Sequence, residues 1–182
     1  MPVDMKEKIA DQLNALLRRK SLDKITVKEL VDGCGISRQT FYYHFQDIMD
    51  VVEWQQKRVL AQGIARSLAA PDPQSAIRSL VREGLENQDW VDRLMASRRR
   101  AEIERLLVRT MSDYLAQMML RRAPDRMLSA ADADAVLCFY ASGVVGLMLD
   151  GLHRRDTDPD ALADRIYRLL SAQLTLGGGP FL

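Results

Sequence analysis

The segment from Arg38 to His44 carries the side chains with the clearest potential for chemistry in this chain. The amide of Gln39 can pair with an adenine edge, and the methyl group of Thr40 can pack on thymine. The guanidinium of Arg38 can reach a guanine or a phosphate. Three neighbours offer groups suited to phosphate oxygens: Tyr42, Tyr43 and His44. This composition indicates contact with a nucleic acid.

Helical periodicity sorts these side chains onto two faces of one short helix. At about 100° per residue, Phe41 and Phe45 share one face, and Gln39 and Tyr43 lie on the opposite face. Five of the 11 aromatic residues fall between Phe41 and Trp54, an enrichment that a generic surface helix would not show. We therefore predict a core face of phenylalanine and an exposed face that contacts DNA.

A preceding short helix and a glycine turn are expected to position this segment. Thr26 and Glu29 form a capping box, in which each side chain can bond to the other residue's backbone amide. The run Gly33-Cys34-Gly35 is expected to interrupt this helix after Asp32, because glycine accepts the positive φ of a helix end. Ser37 is then expected to cap the second short helix.

A helix over residues 4–19 precedes these two, and together they predict a helix-turn-helix whose second short helix enters the major groove. Beyond it, Asp47 is expected to cap a helix that runs to about Leu68, where Ala-Ala-Pro-Asp-Pro stops it. Further helices are predicted over about residues 73–95, 98–122, 132–152 and 159–176, with no strand alternation.

The predicted fold class is therefore all-α. A three-helix helix-turn-helix DNA-binding domain is expected over residues 1–50. A helical domain for regulation and dimerisation, which binds a ligand or a partner, is expected over residues 51–182.

The charge balance indicates that any DNA-binding surface is a local patch and not the whole protein. The formal net charge is only +1, so the whole chain has no field that would attract polyanions. The run Arg98-Arg99-Arg100 is a candidate second nucleic-acid patch, but Glu102 and Glu104 follow it, and a solvated charged face is the expected interpretation.

Other function classes find little support. Cys34 and Cys138 match no metal spacing, so we expect no metal and no cofactor, and we expect both thiols to be small buried apolar groups. No catalytic triad, zinc-protease motif or nucleotide loop is present, so an enzyme is not expected. Two thiols and no secretory signal favour the cytoplasm.

One segment, Ala135 to Leu149, is apolar nearly all round. Its 15 uncharged residues fall short of the roughly 20 that cross a bilayer, so we expect a buried helix and no membrane contact. A second subunit can cover the spare face, whereas a monomeric core helix is the alternative. The residues expected at a dimer interface are Tyr140, Gly143, Val144, Leu147, Ile166 and Leu170.

The stretch Ile25-Thr-Val-Lys-Glu-Leu-Val-Asp-Gly-Cys-Gly-Ile-Ser-Arg-Gln-Thr-Phe-Tyr-Tyr-His-Phe45 closely resembles the DNA-binding signature of the TetR/AcrR family of transcriptional regulators. The resemblance covers about residues 5–55. The run from Phe45 to Trp54 is similar to the subgroup of dihydroxyacetone-kinase (DhaS-like) regulators. The resemblance implies a homodimer on double-stranded operator DNA, in which the last two helices pair with their copies.

The resemblance also implies roles for single residues. Lys28, Arg38, Gln39 and Thr40 would contact bases or nearby phosphates. Further contacts to the DNA backbone would come from Thr26, Tyr42, Tyr43 and His44, and Ser37 is also a candidate DNA-binding residue. Ile48 stands where many relatives carry lysine, so one phosphate contact is absent. The implied function is a repressor with an unknown small-molecule effector; the alternative is a DNA-binding co-activator controlled by a protein partner.

Overall fold

The computed structural model describes residues 4–122, 130–154 and 156–171, and within these ranges the chain forms helices and turns without a β-strand. The predicted all-α fold class is confirmed. A 3-10 turn covers Leu22–Lys24. The α-helices are α1 (Met5–Leu17), α2 (Val27–Cys34), α3 (Arg38–His44), α4 (Ile48–Leu68), α5 (Pro73–Glu86), α6 (Gln88–Met95), α7 (Arg100–Arg122), α8 (Ala130–His153) and α9 (Pro159–Ser171).

The turn between α2 and α3 differs from the prediction by two residues. Helix α2 continues through Gly33 to Cys34, and the chain reverses only at Gly35, whose φ of 64° is left-handed. The Gly35 amide donates to Asp32 O over 3.2 Å, and the Ile36 amide donates to Val31 O over 3.0 Å. This bond pattern ends α2 and requires positive φ at one residue only. The predicted interruption after Asp32 was therefore wrong.

The predicted helix over residues 73–95 is two helices, because Asn87 ends the first. Its side-chain amide donates to the carbonyl oxygen of Glu83 over 2.8 Å, and its backbone amide donates to the same oxygen over 3.2 Å. An asparagine side chain competes in this way with the next backbone bond of a helix. The last helix, predicted to about residue 176, is described to Ser171, and its remainder lies outside the described residues.

The chain divides into two compact units. The first comprises Met1–Ala61 and Asp89–Ile103, and the second comprises Gln62–Gln88 and Glu104–Leu182. Helix α4 contributes residues to both units. The predicted domain boundary after residue 50 stays a prediction, and the packing adds that segment 89–103 lies with the N-terminal helices.

Two side-chain bonds attach this segment to α1 inside the first unit. The indole Nε1 of Trp90 donates to Asn14 Oδ1 over 3.1 Å. The guanidinium of Arg93 donates to the carbonyl oxygen of Leu17 over 2.7 Å and so occupies an acceptor at the end of α1. The core of this unit includes three α1 residues spaced by about one helical turn, Ile9, Leu13 and Leu17. The other helices contribute Leu30, Phe41, Val51 and Val52.

The second unit has its own core, formed by α5, α7, α8 and α9. The hydroxyl of Ser67, at the end of α4, donates to Ala76 O over 3.1 Å and shares a hydrogen bond with the Tyr114 hydroxyl. Asp164 accepts from Gln74 and from Arg78, and these two bonds hold the pKa of its carboxyl below the usual range. Helices α5 and α9 are thus joined by polar bonds at their surface.

By length and composition alone, α8 from Asp132 to His153 could cross a bilayer, a property that core helices of soluble proteins share. About 28% of its apolar window is buried within the single chain. Most of this window is therefore not buried within the part of the chain that the structure describes.

Candidate DNA-binding helix and apolar helix face

Helix α3 begins where Ser37 caps it. The Ser37 hydroxyl accepts from the Thr40 amide over 3.0 Å, and the two hydroxyl oxygens lie 2.9 Å apart in a second hydrogen bond. The side chain of Phe41 is completely buried, and that of Phe45 nearly so, with 6.1 Å between their ring centroids. This aromatic pair fixes α3 against the core by one face.

The opposite face of α3 is exposed to solvent. Tyr43 is 85% exposed and Tyr42 is 58% exposed, which is exceptional for large aromatic side chains. Arg38 and Gln39 are exposed, whereas Thr40 and His44 are half-buried. The two faces predicted from helical spacing are therefore present, and four of the predicted DNA contacts are exposed: Arg38, Gln39, Tyr42 and Tyr43. Their roles in binding stay a prediction.

The start of α2 is fixed by the predicted capping box. The Glu29 amide donates to the Thr26 hydroxyl over 3.3 Å, and the Thr26 amide donates to the Glu29 carboxylate over 3.0 Å. Lys20 pairs with the same carboxylate and donates to Lys24 O over 3.1 Å. Lys28, in the first turn of α2, is exposed. The capping box therefore fixes the start of the helix on which the exposed Lys28 lies.

These bonds also set the electrostatics of the α2 start. The Lys20 ammonium, followed by the Thr26 hydroxyl and amide, holds the pKa of the Glu29 carboxyl below its ordinary value. The Thr26 hydroxyl donates its only proton to Glu29 over 2.9 Å. In this arrangement the Thr26 hydroxyl is engaged at the helix end, and its predicted contact with a phosphate stays a prediction.

Cationic and aromatic contacts tie α1 to α4 around α3. The Arg58 guanidinium pairs with the Glu7 carboxylate over 2.8 Å and lies 5.6 Å from the Trp54 ring centroid. The Lys6 ammonium lies 5.3 Å from the Phe45 ring centroid. Contacts of this kind contribute about 0.5–1 kcal/mol each at exposed sites. They therefore help to hold α3 between its two supporting helices.

A second candidate surface is the apolar face of α8. Phe139 is 67% exposed in the single chain, although it is a large apolar side chain. On α9, Leu169 is also exposed. The other exposed small or apolar residues of this α8 face are Ala135, Cys138, Ser142, Gly143 and Gly146.

The residues predicted at a dimer interface differ in burial within the single chain. The side chains of Val144, Ile166 and Leu170 are buried in the core of the single chain. Tyr140 and Leu147 are half-buried. Gly143 is exposed, and no heavy atom lies within 4 Å of a Cβ added there. Any interface on this surface would therefore use Gly143 directly and the three buried residues only as support.

The exposed residue Phe139 was not predicted, because the sequence does not indicate which face of α8 is buried. Nearly every position from Ala135 to Leu149 is apolar, so periodicity marks no face. The prediction for Cys138 was wrong, since this cysteine is exposed. Cys34 is buried as predicted, and burial raises the pKa of its thiol.

The comparisons with known proteins agree with this geometry. Residues 9–53 match the family model of bacterial regulatory proteins, tetR family. Residues 72–172, more than half of the chain, match the model of a transcriptional regulator C-terminal region from the same family. The chain belongs to the TetR family. It is accordingly a DNA-binding transcriptional regulator, as the sequence predicted.

A solved structure of this family's fold is that of the dihydroxyacetone kinase operon activator DhaS. The match has a TM-score of 0.64 at 19% sequence identity, and it covers 94% of this chain and 96% of that chain. At this identity the likeness shows the TetR-family fold. The comparison with curated proteins finds no match.

Proposed function

We propose that this TetR-family regulator is a cytoplasmic homodimer that binds double-stranded operator DNA through α3 and represses transcription until its second unit receives an input. The observation that carries the proposal is the exposed face of α3, where Tyr42 and Tyr43 stand in solvent above a buried phenylalanine pair. An exposed aromatic ring is unfavourably hydrated unless a partner covers it, and DNA supplies phosphates for the tyrosine hydroxyls. No enzymatic activity is part of the proposal.

The exposed face divides between base selection and positioning. Gln39 and Thr40 select sequence, since amide and methyl groups distinguish base edges in the major groove. Lys28, Arg38 and His44 join the two tyrosines in contacts to phosphates or guanine. Thr26 and Ser37 act as positioning residues, because their hydroxyls cap α2 and α3.

The test begins with duplexes selected from a random library by the wild-type protein. Gln39→Ala should relax preference at one base position by about 1–3 kcal/mol, because it removes a paired donor and acceptor. Tyr43→Phe should weaken binding to all sequences alike, because a phosphate contact carries no base information. Gln117→Ala, at an exposed glutamine of α7, is the matched control and should change neither quantity. Sequence relaxation by Tyr43→Phe and uniform weakening by Gln39→Ala would reverse the roles.

Dimerisation is proposed through the apolar face of α8. An isologous interface covers the same patch on both subunits, so one exposed face is sufficient for a closed pair. The small residues Ser142, Gly143 and Gly146 would let the two helix backbones approach closely. The exposed Phe139 would then be buried by the second copy.

A second candidate function is transcriptional activation together with a protein partner. The observation that favours it is the structural similarity to DhaS, which is named as an operon activator. Transcription in vitro separates the candidates: a repressor lowers transcript from a promoter that overlaps the selected site, and an activator raises transcript from a promoter downstream of it. A small-molecule input would raise the melting temperature of the isolated protein. A protein input would instead change the mass of the DNA-bound complex.

A further inference from the structure

We propose that Arg98 and Lys24 form a flanking basic surface that contacts DNA phosphates outside the helix-turn-helix. This surface lies on the segment between α6 and α7 and on the 3-10 turn, and it would extend the contact of each protomer beyond the half-site read by α3. The inference rests on the proposed binding of operator DNA by α3.

A backbone hydrogen bond holds the two parts of the surface together. The Arg98 amide donates to both carboxylate oxygens of Asp23, over 3.0 and 3.2 Å. Asp23 lies in the 3-10 turn, directly before Lys24. Because the aspartate binds the backbone of Arg98 and not its guanidinium, it fixes the position of the arginine without neutralising it by a direct ion pair.

The 3-10 turn places this surface beside the start of α2. Asp23 precedes Thr26, the N-cap of α2, by three residues, so their Cα atoms lie within about 11 Å along the chain. Lys20 donates to Lys24 O and pairs with Glu29, which joins the turn to the first turn of α2. The surface and the proposed phosphate contact at Lys28 therefore belong to one hydrogen-bonded body.

The two cationic groups are available for an external anion. Arg98 and Lys24 are both exposed, and neither side chain has an ion-pair partner among the residues that the structure describes. The neighbouring Arg99 differs, since its guanidinium binds both oxygens of Glu102, over 2.8 and 3.0 Å. A guanidinium without a carboxylate partner is suited to bidentate contact with a phosphate.

The exposed Arg98 and Lys24 side chains indicate DNA phosphates as the partner. If α2 and α3 contact operator DNA as proposed, a row of duplex phosphates would lie beside the 3-10 turn, so an arginine bonded to Asp23 needs no separate ligand. Such contact would be independent of base sequence and would depend on salt, because each neutralised phosphate releases counterions. The alternative, a solvated charged face, predicts neither effect.

The experiment measures DNA affinity of the full chain as a function of salt. Fluorescence anisotropy with a selected duplex of about 40 base pairs gives the association constant K between about 50 and 200 mM salt. Arg98→Ala should reduce the slope of log K against log salt by about 0.9 per protomer and weaken binding about tenfold per protomer at about 0.1 M salt. Arg109→Ala, an equal charge change at an exposed position of α7, is the matched control and should leave both unchanged.

A second arm locates the contact on the DNA. A duplex shortened to the two half-sites should bind the wild type more weakly, and Arg98→Ala should lose no further affinity on that duplex. Equal loss on the selected and on a scrambled duplex is also expected, because phosphates carry no sequence information. Alanine retains the backbone amide that Asp23 accepts, and thermal unfolding should show the same midpoint as the control variant.

The outcomes separate this inference from the proposed function. If Gln39→Ala relaxes sequence preference but Arg98→Ala behaves as Arg109→Ala, the flanking surface is refuted and operator binding stands. If the wild type binds no duplex, both proposals fail together. An Arg98→Ala variant that loses affinity for one sequence only would also overturn the inference, because the loss would then come from a base contact.

Discussion

The exposed aromatic ring on α8 gives a direct test of the proposed dimer. In the single chain, Phe139 is 67% exposed, whereas a second copy across an isologous interface would cover it. Phe139→Ala removes the ring and leaves the helix intact, since alanine is the best helix former. We expect this substitution to shift the protein from dimer to monomer.

The size of the effect follows from the area that the dimer would bury. A phenylalanine buries about 150–250 Å², so the exposed two-thirds corresponds to about 100–170 Å² for each subunit. At about 25 cal/mol per Å², complete burial contributes about 2.5–4 kcal/mol per ring and about 5–8 kcal/mol per dimer. Since about 1.4 kcal/mol is tenfold in Kd, the dimer should weaken by about four to six orders of magnitude at most. Burial of half that area still gives about two to three orders.

Sedimentation equilibrium over a range of protein concentrations measures this dissociation constant. Tyr42→Ala is the matched control, because Tyr42 is an aromatic residue of similar exposure on α3, away from the α8 face. It should leave the dimer constant unchanged and weaken DNA binding. A wild type that stays monomeric at micromolar concentration, or a Phe139→Ala variant as tightly dimeric as the control, would refute the assignment of this face.

Three further substitutions or labels test the remaining structure. Thr26→Ala should lower the free energy of unfolding in urea by about 1 kcal/mol, because it removes the N-cap of α2. Because Lys20 holds the folded-state pKa of Glu29 below 4.5, the stabilisation from this carboxylate should be complete above that pH and lost as the pH falls further. The difference in the free energy of unfolding between wild type and Glu29→Gln should therefore shrink toward low pH. A difference that stays constant with pH would contradict the assigned pairing. Iodoacetamide should label Cys138 in dilute protein, more slowly as concentration rises, and should label Cys34 only after unfolding, because burial raises the pKa of that thiol; mass spectrometry of the labelled peptides distinguishes the two.

Local chemistry explains what the sequence predicted well. The starts of α2, α3 and α4 were predicted from Thr26, Ser37 and Asp47, and each side-chain oxygen accepts a backbone amide in the first turn. A cap acts over three residues, so its pattern is visible in a short stretch of sequence. The faces of α3 followed for the same reason, because one strongly polar side and one aromatic side define the phase of a helix.

Non-local bonds explain what could not be predicted. The segment 89–103 joins the first unit through Trp90 and Arg93, whose acceptors on α1 lie 76 residues away. No periodicity encodes a pair at that separation. The exposed face of α8 could not be predicted for a different reason. A uniformly apolar sequence does not indicate which face of the helix is buried, and packing against α5 and α9 determines it.

A chain with a net charge of +1 can still present a DNA-binding surface if its carboxylates are engaged within the fold. In the first unit, Glu29 pairs with Lys20, Asp47 caps α4, and Asp23 accepts the amide of Arg98. Each of these carboxylates is held by bonds inside the unit, while the cations of Lys28 and Arg38 stand exposed. None of these three carboxylates forms an ion pair with Lys28 or Arg38 among the residues that the structure describes. A net charge summed over the chain does not show which cations are left exposed, so the total charge gave no sign of Lys28 and Arg38 as a surface.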